Sequence, residues 1–210
     1  WLAGLLHDSG KITTPVHVVD KATKLETIFD RIHLVDTRFE VLLRDCEIRA
    51  LKDKCAAGAD HAAIDARMQG EMAALRADRE FLRGANVGGE GMQAADQARV
   101  RRIGAHRWTG PDGSECDFLD ADEIANLTVR FGTLREDERK IINNHISMTI
   151  KMLESLPWPK HLKNVPEFAG GHHERMDGKG YPRGLTGDQM SVQARCMGIA
   201  DIFEALTAAD

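Results

Sequence analysis

The sequence predicts an all-α fold that includes a long helical hairpin, and three observations carry that expectation. Aromatic residues make up only 5% of the chain, which is instead rich in Ala, Leu, Arg, Glu and Met, the residues that favour helix over sheet. Two long stretches place apolar residues alternately three and four apart. Clear start and stop signals then bound further helices in the second half of the chain.

Taken in order, Leu2 to Leu6 read as the end of a buried helix that runs into His7-Asp8-Ser9-Gly10-Lys11 and is broken by Gly10 and Pro15. The first stripe is Leu25, Ile28, Ile32, Val35, Phe39, Leu42 and Cys46. A polar break over 56–61 precedes the second, Ile64, Met68, Met72, Leu75 and Leu82. Together they predict an antiparallel, coiled-coil-like hairpin with no chemistry of its own. A Gly-rich joint over 84–91 (GANVGGEG) and a shorter helix to Gly104 follow, then WTGPDG (108–113) as a tight turn or small hairpin. Thr133 with Glu136 reads as a capping box opening a helix that runs to Leu156, before Pro157. Pro166 opens a short helix expected to carry His172 and His173, and a last helix starts near Val192.

The length of 210 residues suits one ordinary domain or one domain with a large insertion. A net charge of -5 argues against a surface for duplex nucleic acid. Four cysteines without CxxC spacing read as reduced thiols, and neither a membrane span nor a signal peptide is visible, so the expected location is cytoplasmic. Both ends interrupt apolar or helical patterns, starting at Trp1. The chain is therefore expected to be a fragment, with any sensory or membrane part outside it.

The chemistry-bearing residues are scattered. His7, Asp8 and Lys11 gather at one helix end, where a partly buried His with an Asp cap is the plain alternative. His145 lies on an apolar face and needs a partner, as a ligand or as a satisfied core imidazole. The adjacent pair His172 and His173 suits a cluster of ions better than a single one. Asp201 shares a helical row with Ala194, Met197, Ala205 and Ala208, so its carboxylate needs a metal or an ion pair such as Arg195. These four imidazoles and two carboxylates make a nitrogen and oxygen donor set suited to Fe, Mn, Zn and other hydrolytic metals.

The segments LLHDSGKI, GTLREDERKIINNH, HHERMDGKGYPRGL and ARCMGIADIFEALTA, in that order, resemble the signatures of the HD-GYP family of cyclic di-GMP phosphodiesterases, with GYP itself at Gly180, Tyr181 and Pro182. The likeness covers about residues 1–20 and 130–210. It implies an HD-domain helical bundle over 1–24 and 105–210, with 25–104 as the inserted hairpin or arm. By the same resemblance His7, Asp8, His145, His172, His173 and Asp201 hold two or three divalent ions, Fe or Mn, with Mg, Ni, Co and Zn as alternatives. Asp8 bridges them and Lys11 contacts the substrate phosphate. Arg175, Lys179 and Arg183 either add positive charge for the substrate or are solvated loop residues, and Tyr181 either stacks on a base or fixes the loop. The implied reaction is hydrolysis of cyclic di-GMP to pGpG and/or GMP by attack of a metal-activated hydroxide on phosphorus. The family's further His and Glu ligands lie upstream of HD, ahead of Trp1. Two rivals are a hydrolase of another nucleotide, such as another cyclic dinucleotide, and a non-catalytic sensor or docking module. The arm is either a homodimer contact or a hairpin packed on its own core.

Overall fold

The computed structural model describes residues 1–89 and 91–207. The chain divides into two compact units, one formed by 1–19 with 136–210 and the other by 20–135. Both are mainly helical, with one small two-stranded sheet. No described helix is long and apolar enough to cross a membrane.

The unit of residues 20–135 is built on the hairpin of α3 (Ile32–Lys54) and α4 (His61–Val87), joined by the short turn expected around 56–61. Asp60 caps α4 by accepting the N–H of Ala63. Val35, Phe39 and Leu82 are fully buried between the helices, with Leu43, Cys46 and Met72 forming a second cluster further out. The first stripe needs one correction. α3 begins at Ile32, not near Leu25, and Ile28 is 96% exposed. The segment ahead of α3 is a turn, in which Glu26 accepts the N–H groups of Ala22 and Thr23 and Asp30 accepts that of Ile32. Leu25 is buried for a different reason: Asn86 of α4 clamps it, accepting the Leu25 N–H on its side chain and the Lys24 N–H on its carbonyl.

α4 runs through Gly84 to Val87, so the Gly-rich joint is shorter than the composition suggests; Glu90 lies outside the described residues. α5 (Ala94–Gly104) follows as expected, and WTGPDG makes the hairpin turn between β1 (Arg107–Thr109) and β2 (Glu115–Asp117), antiparallel with Trp108 opposite Cys116. α6 (Ala121–Leu127) carries a capping box between Asp120 and Glu123. Glu123, 1% exposed, also takes a bidentate pair from Arg38 at 2.7 and 2.9 Å.

In the other unit, α1 (Leu2–Leu6) ends at His7, a 3-10 turn covers Ser9–Thr13, and α2 is the single turn Val16–Val19. Only Ala3 of α1 is buried, so the helix is less enclosed than expected. The capping box expected at Thr133 is absent: the helix starts at Glu136 itself, and the Thr133 hydroxyl donates to the Lys21 carbonyl. The expected single helix is two, α7 (Glu136–Asn143) and α8 (His145–Glu154). At the junction the Asn144 N–H is shared between the Lys140 and Ile141 carbonyls, a tightened turn at an Asn-Asn pair of low helix propensity. α9 (Val165–Gly170) stops before His172 and His173, which sit in the turn after it rather than on it. α10 (Val192–Thr207) starts where predicted. A small core of Ala3, Leu153, Val165 and Ala169 ties α1, α8 and α9 together.

Candidate metal centre

Close backbone approaches bring the scattered histidines together. The 3-10 turn after His7-Asp8 lies directly on α8: a Cβ on Gly10 would stand 2.0 Å from the His145 carbonyl oxygen. There the Gly10 N–H donates to the hydroxyl of Thr149, which is fully buried. On the opposite side, Gly198 lets α10 reach the His172 backbone, where a Cβ would meet the His172 carbonyl oxygen at 2.8 Å. Gly171 similarly faces Ala194, and Gly170 faces Ile150. His7-Asp8, His145, His172-His173 and Asp201 therefore meet from four parts of one unit.

Three of the imidazoles are oriented in the same way. Nδ1 of His7 donates to the Gly4 carbonyl at 2.8 Å, Nδ1 of His172 to the Ala169 carbonyl at 2.6 Å, and Nδ1 of His145 to the Ile142 carbonyl. Each bond reaches the carbonyl three residues back, at the end of a helical turn. It places the ring proton on Nδ1 and leaves the Nε2 lone pair facing inward.

Those Nε2 atoms converge on carboxylates. His7 Nε2 is 3.4 Å from Asp8 Oδ2 and 3.4 Å from Asp201 Oδ1, and His145 Nε2 is 3.2 Å from Asp8 Oδ1, with His172 Nε2 at 3.8 Å. The His145 approach is short but not aligned as a hydrogen bond, and Nε2 of both His145 and His172 is buried without a partner. Acceptor atoms facing acceptor atoms in a buried cluster repel unless a cation lies among them. The donor atoms of His145, His172 and His173 lie within 4.8 Å of one another, as do those of His7, His172 and Asp201. Divalent ions fit this donor set, and His172 is common to both groups.

Electrostatics agree. Burial works against the Asp8 carboxylate, but the close His145, the Lys11 ammonium 2.6 Å from Oδ2 and the neighbouring His7 outweigh it, holding its pKa far below the usual range. Burial, with the neighbouring imidazoles His172 and His145, pushes His173 down to about 4, and burial pushes His172 down as well. Both stay neutral, the state a metal ligand needs.

The remaining sequence candidates line the loop after His173. Tyr181 stacks on the His173 ring, centroids 4.8 Å apart and planes 18° apart. Burial raises its phenol pKa, so the hydroxyl remains a neutral donor. Arg175 pairs with Asp177 at 2.9 Å and Arg183 with Glu154 at 3.3 Å, while Lys179 is exposed. Asp201 does not pair with Arg195, whose guanidinium donates to the Met190 carbonyl; Asp201 faces His7. Ala205 of its expected row is exposed, and Ala208 lies outside the described residues. Sequence reasoning missed Thr149 and Glu174. Glu174, 7% exposed, accepts the N–H groups of Arg183 and Leu185 and closes the loop on itself.

Comparison with known proteins agrees with this geometry. Residues 121–210 match the family profile described as HD domain. Over 77 residues the chain is 42% identical to 3'3'-cGAMP-specific phosphodiesterase 3 of Vibrio cholerae, covering 37% of this chain and 16% of that protein. It is 40% identical over 86 residues to a probable cyclic di-GMP phosphodiesterase of the same organism, 39% of this chain and 20% of the relative. It is 36% identical over 84 residues to the cyclic di-GMP phosphodiesterase response regulator RpfG of Xanthomonas campestris, 40% of this chain and 22% of the relative. The chain thus spans about a fifth of the length of these curated relatives. Over residues 121–210 the chain is thus similar to the HD domain, and its relatives include proteins named cyclic-dinucleotide phosphodiesterases.

Proposed function

We propose that this chain holds the metal-dependent centre of a phosphodiesterase that hydrolyses cyclic di-GMP to pGpG and/or GMP. The observation that carries the reading is the convergence of inward-facing imidazole acceptors on the Asp8 and Asp201 carboxylates, with two of those acceptors buried and unpartnered. His7, Asp8, His145, His172, His173 and Asp201 would hold two or three divalent ions, Fe or Mn among the candidates. Bound there, such ions lower the pKa of a coordinated water and draw charge from phosphoryl oxygens.

The protein's own residues do the rest. Asp8 turns Oδ1 toward His145 and His172 and Oδ2 toward His7, the placement of a carboxylate shared between two ligand groups. The Lys11 ammonium beside Oδ2 is partly exposed and can move onto a phosphate oxygen as charge grows in the transition state. Tyr181 offers a ring face and a neutral hydroxyl beside His173. Arg175, Lys179 and Arg183 on the same loop would add positive charge for the substrate once Arg175 and Arg183 leave Asp177 and Glu154. Water adds across a phosphorus–O3′ bond, leaving a 5′-phosphate and a free 3′-hydroxyl.

A second substrate has a specific observation in its favour. Relatives 42% and 58% identical over their matched segments are named 3'3'-cGAMP-specific phosphodiesterases. Incubation of the purified protein with cyclic di-GMP and 3'3'-cGAMP, each with Fe, Mn, Mg, Ni, Co or Zn, separates the two. Linear product from the first supports the main reading, product from 3'3'-cGAMP alone replaces it, and both dinucleotides intact with every metal overturns it.

A further inference from the structure

We propose that Glu174 is a positioning residue: its buried carboxylate, bound to the Arg183 and Leu185 amides, sets the Tyr181 ring over His173 and thereby sets substrate affinity rather than ion content. The idea rests on the phosphodiesterase reading only for its kinetic consequence.

The geometry points there because a carboxylate this enclosed is costly unless each oxygen is satisfied. Glu174 is 7% exposed; Oε1 accepts the Arg183 N–H at 2.7 Å and Oε2 the Leu185 N–H at 2.8 Å. Both are charge-assisted bonds to the far end of a loop whose near end begins one residue after Glu174 itself. The loop also presses on the Glu174 backbone: a Cβ on Gly180 would stand 2.4 Å from its Cα and 2.3 Å from the Arg175 nitrogen. Tyr181, between Gly180 and the segment that Glu174 binds, donates its N–H to the His173 carbonyl at 3.2 Å and lays its ring on that imidazole. Glu174 therefore holds the strand of chain leaving Tyr181, as His173 holds the strand entering it. The rings of His173 and Tyr181 move together only while both attachments last. The Nε2 atoms of His7, His145 and His172 are fixed by other carbonyls and do not depend on this loop.

The test uses the whole chain and Tyr181, its single tyrosine, so selective carbon-13 labelling of tyrosine reports this ring alone. Glu174→Gln turns one acceptor into a donor against a backbone N–H. Its tyrosine ring signal is expected to move toward the position of an unstacked ring, while the three tryptophan indole signals keep theirs. Glu174→Asp, one methylene shorter, is expected to leave the ring unstacked as well. Bound metal should be unchanged, and KM for cyclic di-GMP should rise about tenfold, the effect of losing one charge-assisted hydrogen bond, with kcat within about threefold of the starting value. An unmoved tyrosine signal in Glu174→Gln, or a fall in kcat with KM unchanged, overturns the proposal. Should that variant not fold, amide exchange in the unaltered protein decides: protected Arg183 and Leu185 amides support the proposal, and free exchange of either overturns it. If the unaltered protein leaves cyclic di-GMP intact, the functional reading fails and the tyrosine signal still judges Glu174.

Discussion

The two units of this chain treat buried polar groups in opposite ways. In residues 20–135 the buried charges are given their partners. Lys24, 3% exposed, donates to the Val129 carbonyl at 2.8 Å and the Leu127 carbonyl at 3.3 Å, and Glu123 receives both ends of the Arg38 fork. Among the described residues there, the buried orphans are a hydroxyl, Thr23 Oγ1, and Arg79 Nε, on a guanidinium whose other end pairs with Glu40. In the unit of residues 1–19 and 136–210, the orphans among the described residues are the Ser9 hydroxyl and two imidazole nitrogens that face the same carboxylate. A unit built only to be stable has no reason to gather acceptors against acceptors; a unit built to hold cations does.

That contrast can be broken in several ways, the largest first. Asp8→Asn should abolish turnover, by at least the roughly hundredfold loss that follows from disturbing even the outer support of a ligand. Its far-ultraviolet dichroism should remain that of the folded protein; retained turnover would remove Asp8 from the centre. Phe39→Ala acts in the other unit, where the ring is fully buried against Phe118, centroids 4.5 Å apart. It should cost about 3–5 kcal/mol in urea unfolding, while metal bound per folded chain stays constant. Gly10→Ala lies between these extremes. Its Cβ would meet the His145 carbonyl at 2.0 Å, so the turn must lift from α8, costing about 1–3 kcal/mol and weakening metal binding, read by calorimetric titration with Mn.

Acid should sharpen the same difference. An unfolded histidine titrates near pH 6.5, whereas burial holds folded His173 at about 4 and also lowers His172. Between those values the unfolded chain binds more protons than the folded one. Stability present above pH 6.5 is therefore lost as pH falls toward 4, with Asp8 adding its loss at still lower pH. Urea midpoints of the metal-free protein across pH 4–7 check this, and His173→Gln should flatten the slope. The smallest effect is at the hairpin tip: Asp60→Ala removes the cap of α4 and should cost about 1 kcal/mol with no change in metal content.

The contrast also explains what the sequence made legible. Hairpin, β-turn and last helix were readable because each depends on local period or turn chemistry: the stripe of Val35, Phe39 and Cys46, the Pro111-Asp112-Gly113 turn, and the start at Val192. The stripe failed at Ile28, where period continued by coincidence into a turn that Asn86, far along the chain, holds in place. The helix break at Asn144 and the end of α9 before His172 were also missed, since the packing that decides them is tertiary. Within the site, the His and Asp residues stood out by type and motif. Glu174, Thr149 and Gly198 did not, because their partners (Leu185, Gly10 and the His172 carbonyl) are set by the folded chain and no spacing announces them.

The most direct test of the central claim is metal stoichiometry by mass spectrometry on the purified protein and on His172→Ala, whose imidazole belongs to both ligand groups. The account predicts two or three ions per chain in the former, and loss of at least one ion together with cyclic-dinucleotide turnover in the variant. Equal metal content in both, or none in either after loading with Fe or Mn, would contradict it.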